Sequence, residues 1–178
     1  VDDFKAMEEL CNILYKKRIK RGAIDFEFQE ANIILNELGK PIEIKPYARE
    51  IANRMIEEFM LVCNETIAEA MFYKKVPFVY RIHENPDAEK LQKFKEFAYN
   101  LGYVMKLSDE VHPKELQSII EKVKGKNEEI VINTLLLRSM MQARYSPECV
   151  GHFGLAAQYY CHFTSPIRRY PDLQIHRI

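Results

Sequence analysis

The closing stretch of the chain, HFTSPIRRYPDLQIHRI, concentrates residue types that hold anions. Ser165 followed by Pro166 has the form of a helix start, a hydroxyl cap before a proline at the first helical position. Backbone N–H groups at such a start favour negative charge. Arg168 and Arg169 fall in the same turn, where the helix dipole disfavours cations. A bound phosphate removes that conflict, because a guanidinium grips it through two parallel hydrogen bonds. Pro171 cannot donate a helical hydrogen bond. The expectation is therefore a tight turn at 165–169, with the main helix restarting near Pro171. Within that helix, Asp172 and His176 are four apart and are expected to pair. Spacing alone leaves two readings open: phosphate binding by the arginines, or ordinary ion pairing with some of the 26 acidic residues.

Other elements must carry this stretch. From Cys149 onward the pattern has period two, with Phe153, Leu155, Ala157, Tyr159, Cys161 and Phe163 on one side and His152, Gly154, Ala156, Gln158, Tyr160 and His162 on the other, which predicts a strand delivering the chain to Ser165. Residues 47–73 read as the longest helix, opened by Pro46, with Ala52, Ile56, Phe59, Cys63, Ile67 and Ala70 as its core stripe. A second line on that helix is polar: Asn53, Glu57 and Asn64. Buried, such a line needs partners, and a ligand is one way to supply them. Residues 3–19 form a further amphipathic helix ending in YKKRIKRG, read either as a solvated helix end or as a phosphate-contacting edge. Short strands are predicted in AIDFEF, IEIK and PFVYRIH, with a strand and turn before Gly39. Helices are predicted near 87–101 and 113–124, and IVINTLLLRSMMQ reads as a helix or a strand-to-helix run. The fold class is α+β, with several helices and short strands in a mixed or antiparallel sheet.

Composition narrows the function classes. Hydrophobic residues make up 47% and charged residues 29%, an ordinary globular balance. The net charge is zero, so a polyanion site must come from local clustering. No apolar run approaches the roughly 20 residues that span a bilayer, so no membrane partner is expected. Four cysteines without a CxxC pair suit reduced thiols and a cytoplasmic setting. A zinc site from Cys149, His152, Cys161 and His162 is disfavoured, since neighbours on a strand face opposite ways.

Several motifs together resemble one family. HFTSPIRRYPDLQIHR, LCNILYKKRIKRGAIDFEF, IANRMIEEFMLVCNETIAEAM, VPFVYRIHENPDAEKL and GHFGLAAQYYCHF are similar, in order, to the RNB family of exoribonuclease catalytic domains, and closer to its ribonuclease R type than to its ribonuclease II type. The resemblance covers nearly the whole chain. It implies a processive enzyme that hydrolyses single-stranded RNA from the 3′ end to nucleoside 5′-monophosphates. The implied cofactor is magnesium held by an aspartate cluster. By resemblance, Arg168 holds the phosphate being cleaved, Glu57 lies near the last nucleotides, and Phe26 stacks on a terminal base. Arg169 and Asn53 join Glu57 and Phe26 as expected RNA-binding residues.

One feature departs from the family pattern. Its metal-binding aspartates lie upstream of everything matched here, and Asp2, Asp3, Asp25, Asp87, Asp109 and Asp172 do not form such a cluster. The expectation is the C-terminal portion of an RNB catalytic domain, residues 1–178, with no metal ligand of its own and no activity alone. The missing half of that domain and the cold-shock-like and S1-like RNA-binding domains are its expected partners. The alternative is a non-catalytic RNB-like module that binds RNA or protein.

Overall fold

The computed structural model describes residues 2–26, 31–46, 50–105 and 111–178. Helix α1 (Asp2–Arg21) begins with Asp2 and Asp3 and ends with Arg18, Lys20 and Arg21, each charge set opposing the helix dipole. A hairpin follows, β1 (Ala31–Leu35) antiparallel to β2 (Pro41–Pro46), closed by a turn in which the Asn36 side chain accepts from the Leu38 and Lys40 amides. Helix α2 (Ile51–Lys74) is opened by a reciprocal capping box between Glu50 and Asn53. Pro46 therefore ends a strand rather than opening this helix, and residues 47–49 of the expected helix lie outside the described residues.

Strand β3 (Tyr80–Ile82) leads to three helices: α3 (Ala88–Asn100), α4 (Pro113–Val123) and α5 (Glu129–Ser139). Asp87 caps α3 by accepting from the Lys90 amide, and His112 Nδ1 caps α4 by accepting from the Lys114 amide. Their apolar faces interlock through Leu91, Phe94, Leu116, Ile120, Ile132 and Leu136 to form the larger of two cores. Strand β4 (Arg144–Ser146) pairs antiparallel with β3, and α6 (Tyr170–Ile175) closes the described chain. The second core joins Ala68 of α2, Phe78, Tyr80 and Ile82, Cys161, and Ile175 of α6. Among the described residues both sheets are two-stranded and antiparallel, consistent with the α+β reading.

Three expectations are overturned. The predicted strand at 152–163 is instead a compact loop around a single 3-10 turn, Phe153–Leu155, with isolated bridges at His152. Gly151 at φ +85° and Ala156 at φ +48° bend the backbone out of the extended region. A Cβ on Gly154 would meet the His83 ring at 3.0 Å, so the small residues of the alternation mark close approaches rather than a pleat.

The expected core stripe of α2 holds only in part: Ile67 packs against the second core and Phe59 and Cys63 are half-buried, but Ala52, Ile56 and Ala70 are exposed while Glu58, Asn64 and Ala68 are buried. The reason is the α1 interface. Arg18 grips Glu58 at 2.7–3.2 Å with both residues under a tenth exposed, and Arg21 grips Glu65 at 2.7 and 2.8 Å. Two bidentate pairs, together with the apolar packing of Ile67, Ala68 and Met71, hold the inward face of α2. The same pairs overturn both readings of YKKRIKRG at its arginines, although Lys16, Lys17 and Lys20 remain exposed.

Candidate functional site

The turn before α6 is built as the spacing predicts. The Ser165 carbonyl accepts from the Arg168 and Arg169 amides at 3.3 and 3.1 Å, and α6 restarts at Tyr170 with Pro171 in its first turn. Because α6 is only six residues long, it supplies little dipole of its own. Any anion here must be held by side chains.

Asp172 organises that turn. Its side chain is fully buried, and Oδ1 accepts from the Ser165 amide at 2.8 Å, Arg169 Nη2 at 2.8 Å and Arg169 Nε at 3.1 Å. Asp172 Oδ2 has no hydrogen-bond partner among the described residues. The expected Asp172–His176 pair does not form. The His176 ring lies flat on Phe163 at 4.0 Å, and its Nε2 meets the Phe163 carbonyl at 2.9 Å. The two adjacent arginines thus separate. Arg169 is engaged internally, whereas Arg168 is exposed and makes no side-chain hydrogen bond or ion pair among the described residues.

Asn64 anchors the approach to the turn. Its Oδ1 accepts from the Phe163 amide at 3.1 Å and its Nδ2 donates to the Tyr160 hydroxyl at 3.2 Å. The Cys161 thiol donates to the Asn64 carbonyl at 3.2 Å. The polar line on α2 is therefore buried at Asn64, with protein groups as its partners. Glu57 lies two turns earlier on that face and is half-buried. Asn53 accepts from the Glu50 amide at 3.2 Å as part of the capping box. Phe26 packs against the larger core. Arg168, Arg169 and the Asn64 end of α2 are thus brought together, while Phe26 belongs to the other cluster.

A lattice of rings borders the turn. His83 and His152 are 5.0 Å apart, His152 and Tyr160 5.1 Å, Tyr160 and His162 5.9 Å, and His162 and Tyr145 5.6 Å. The Tyr145 hydroxyl lies 2.8 Å from His162 Nδ1, and the Arg81 guanidinium sits 4.7 Å over the Tyr145 ring. His83 Nδ1 accepts from the Gly154 amide at 3.0 Å, so Nε2 carries the proton and donates to the Met141 carbonyl at 2.8 Å. Burial, reinforced by nearby cations, lowers the pKa of His152 to about 3 and that of His162 to about 4. Burial also lowers His83. All three imidazoles are neutral near pH 7. Sequence alternation had put His152, Tyr160 and His162 on one side. It gave no sign that Arg81 and Tyr145, from β3 and β4, join them.

Among the described residues no three histidine, cysteine, aspartate or glutamate side chains converge to hold a metal ion. The zinc alternative fails for a local reason: the Cys161 thiol points to the Asn64 carbonyl and the Cys149 thiol to the Gln158 carbonyl. Asp109 lies outside the described residues. No helix among them is long and apolar enough to cross a membrane.

Comparison with known proteins places these features in a family context. The family model described as the RNB domain matches residues 1–178. Ribonuclease R 1 of Lactococcus lactis is 54% identical over 178 residues, covering 99% of this chain and 22% of its own length. The structure of Mycoplasma genitalium RNase R in complex with ribose-methylated single-stranded RNA superposes with a TM-score of 0.93 at 35% identity, over 99% of this chain and 28% of that one. Yeast Ssd1, described as a pseudonuclease, superposes with a TM-score of 0.70 at 25% identity, over 97% of this chain and 22% of its own. The chain spans about a quarter of the length of these relatives.

Proposed function

Since the chain belongs to the RNB domain family, we propose that it forms the phosphate-positioning part of a hydrolytic 3′→5′ exoribonuclease acting on single-stranded RNA. One observation carries the reading. Of two adjacent arginines, one is latched to a buried aspartate and the other is left exposed and unpaired. A guanidinium held by a fixed turn but free at its tip suits an anion that arrives from outside the chain. In this reading Arg168 binds the reacting phosphate and stabilises the charge that develops on it. Arg169 holds the turn, Glu57 faces the terminal nucleotides, Asn53 lies further along the same helix face, and Phe26 stacks on a base. The similarity to an RNase R solved with single-stranded RNA supports RNA as the ligand.

The described residues do not fit a magnesium site, and none of these roles passes through a metal. The magnesium chemistry that the family resemblance implies belongs, in this reading, to the remaining length of the longer relatives. The 178-residue chain by itself is then expected to release no mononucleotide. Its proposed partners are single-stranded RNA and the further RNB, cold-shock-like and S1-like segments, and its proposed setting is the cytoplasm. The test is a full-length protein carrying this chain, incubated with 5′-labelled single-stranded RNA and magnesium. The expected result is progressive shortening from the 3′ end with nucleoside 5′-monophosphates as products.

The similarity to a pseudonuclease favours a specific second reading, a non-catalytic RNB-type scaffold that binds RNA. Retained RNA binding by the full-length protein, with no mononucleotide release under any magnesium concentration, selects this second reading.

A further inference from the structure

The small sheet β3–β4 carries two arginines with opposite fates. Arg144 is paired with Glu84 at 3.1 Å. Arg81, on the neighbouring strand, has no carboxylate partner and no side-chain hydrogen bond among the described residues. Antiparallel pairing sets Arg81 directly across from Tyr145, and the guanidinium rests 4.7 Å over that ring. The ring is in turn held by its hydroxyl, 2.8 Å from His162 Nδ1. Arg81 is thus held against the Tyr145 ring with no ion pair among the described residues.

Its location gives that unpaired charge a direction. His162 belongs to the segment that leads to Ser165, and its ring feels both Arg81 and Arg168. The rings of Tyr145, Tyr160 and His162 lie side by side in this region, and burial lowers the pKa of His162 to about 4, so its imidazole is neutral near pH 7. Asp172 is buried and bound to Arg169, and Glu84 is bound to Arg144. In a chain with as many acidic as basic residues, Arg81 and Arg168 make no ion pair among the described residues, and both act electrostatically on His162. Four other guanidinium groups find carboxylates, those of Arg18, Arg21, Arg144 and Arg169, whereas Arg54 rests over the Tyr15 ring with no ion pair among the described residues.

We infer that Arg81 forms a second phosphate subsite beside Arg168, binding a neighbouring phosphodiester of the same RNA strand, with Tyr145 and His162 as the residues that position it. The inference rests on the reading of this chain as RNA-binding. It does not require that the protein cleave RNA. A guanidinium stacked on an aromatic ring keeps its fork free at the edge, the geometry that grips phosphate oxygens. Such a contact positions the strand without reading its sequence.

The test uses the full-length protein, with Arg81→Gln, Arg81→Lys, Tyr145→Phe and Tyr145→Leu. Affinity for oligo(U) and oligo(A) is measured across a salt series in the absence of magnesium, so that no cleavage occurs. Arg81→Gln is expected to weaken both oligomers equally, by about tenfold for a charge-assisted contact. It should also make the slope of log K against log salt shallower by about 0.7, the loss of one phosphate contact on a single strand. Arg81→Lys should keep the slope, because it keeps the charge. Tyr145→Phe, which retains the ring, should bind within about twofold of wild type, and Tyr145→Leu should approach Arg81→Gln. An unchanged salt slope in Arg81→Gln would overturn the inference, leaving Arg81 as a packing residue. A loss confined to one oligomer would overturn it too, since a base contact would then be indicated. If the wild-type protein binds RNA and these shifts appear while no mononucleotide is released with magnesium, the subsite stands and the exoribonuclease reading falls. If the wild type cleaves RNA and Arg81→Gln is indistinguishable from it, the outcome is the reverse.

Discussion

Replacing Asp172 by alanine isolates what the latch contributes. The fully buried carboxylate accepts three hydrogen bonds at one oxygen, two of them from the Arg169 guanidinium. Removing one member of a buried ion pair costs about 3–5 kcal/mol. Arg169 is a fifth exposed and can regain some water, which pulls the cost toward the low end. The Ser165 amide loses its acceptor, and an unmade buried hydrogen bond costs about 1–3 kcal/mol. The two losses share one oxygen and are not additive, so the expected loss is about 3 kcal/mol. For a chain of this size that lowers the midpoint of thermal unfolding by about 6–12 °C. Asp172→Asn keeps an acceptor in the same place and loses the charge, and about 1–1.5 kcal/mol is expected. Urea unfolding gives the free energies, and amide exchange at Ser165 reports the turn itself. If Asp172→Ala costs under about 1 kcal/mol and Ser165 exchange is unchanged, the latch is not what holds the turn.

Three further outcomes are expected. In the full-length protein, Arg168→Ala should lower single-turnover cleavage roughly a hundred- to a thousandfold with little change in RNA affinity, and Arg168→Lys should recover only part of it; a loss of affinity at unchanged rate would make Arg168 a binding residue only. Arg18→Met should cost about 3–5 kcal/mol by stranding the buried Glu58 carboxylate, whereas the double variant Arg18→Met/Glu58→Leu should regain most of that in a double-mutant cycle. Stability should fall as pH drops below about 6.5, the unfolded histidine value. His152 and His162 bind their protons only near about 3 and about 4 in the folded state, so the unfolded state binds more protons across that window. Urea midpoints that stay flat between about pH 6.5 and 4.5 would contradict the neutral imidazole lattice.

What was legible in the sequence follows from what a periodic pattern encodes. Helices α1, α3 and α4 appear where three- and four-residue spacing placed them, because one face of each meets an apolar neighbour or carries capping residues at the right offset. The turn at 165–169 was legible because proline chemistry constrains it locally. The failures share a cause, since each depended on a partner distant in the chain. Nothing in the α2 pattern announces that Arg18 and Arg21 will select Glu58 and Glu65 and so rotate the buried face. At 152–163 the backbone is bent rather than pleated, and a Cβ on Gly154 would meet the His83 ring, a constraint from a distant segment that a period of two does not reveal.

The pairing of Asp172 makes the same point on the smallest scale. His176 at i+4 and Arg169 at i−3 both lie within one helical turn of Asp172. The choice was made by Phe163, which takes the His176 ring by stacking and its Nε2 by a carbonyl. Asp172 is then left to Arg169, and Arg169 to Asp172, so Arg168 is the arginine that remains free. Phe163 itself is held by Asn64 of α2, the residue buried on the polar line with Glu57. The turn that carries Arg168 and the Asn64 face of α2 are therefore joined through the Asn64 side chain and the backbone and ring of Phe163. A substitution at either should act on Arg168 without touching it.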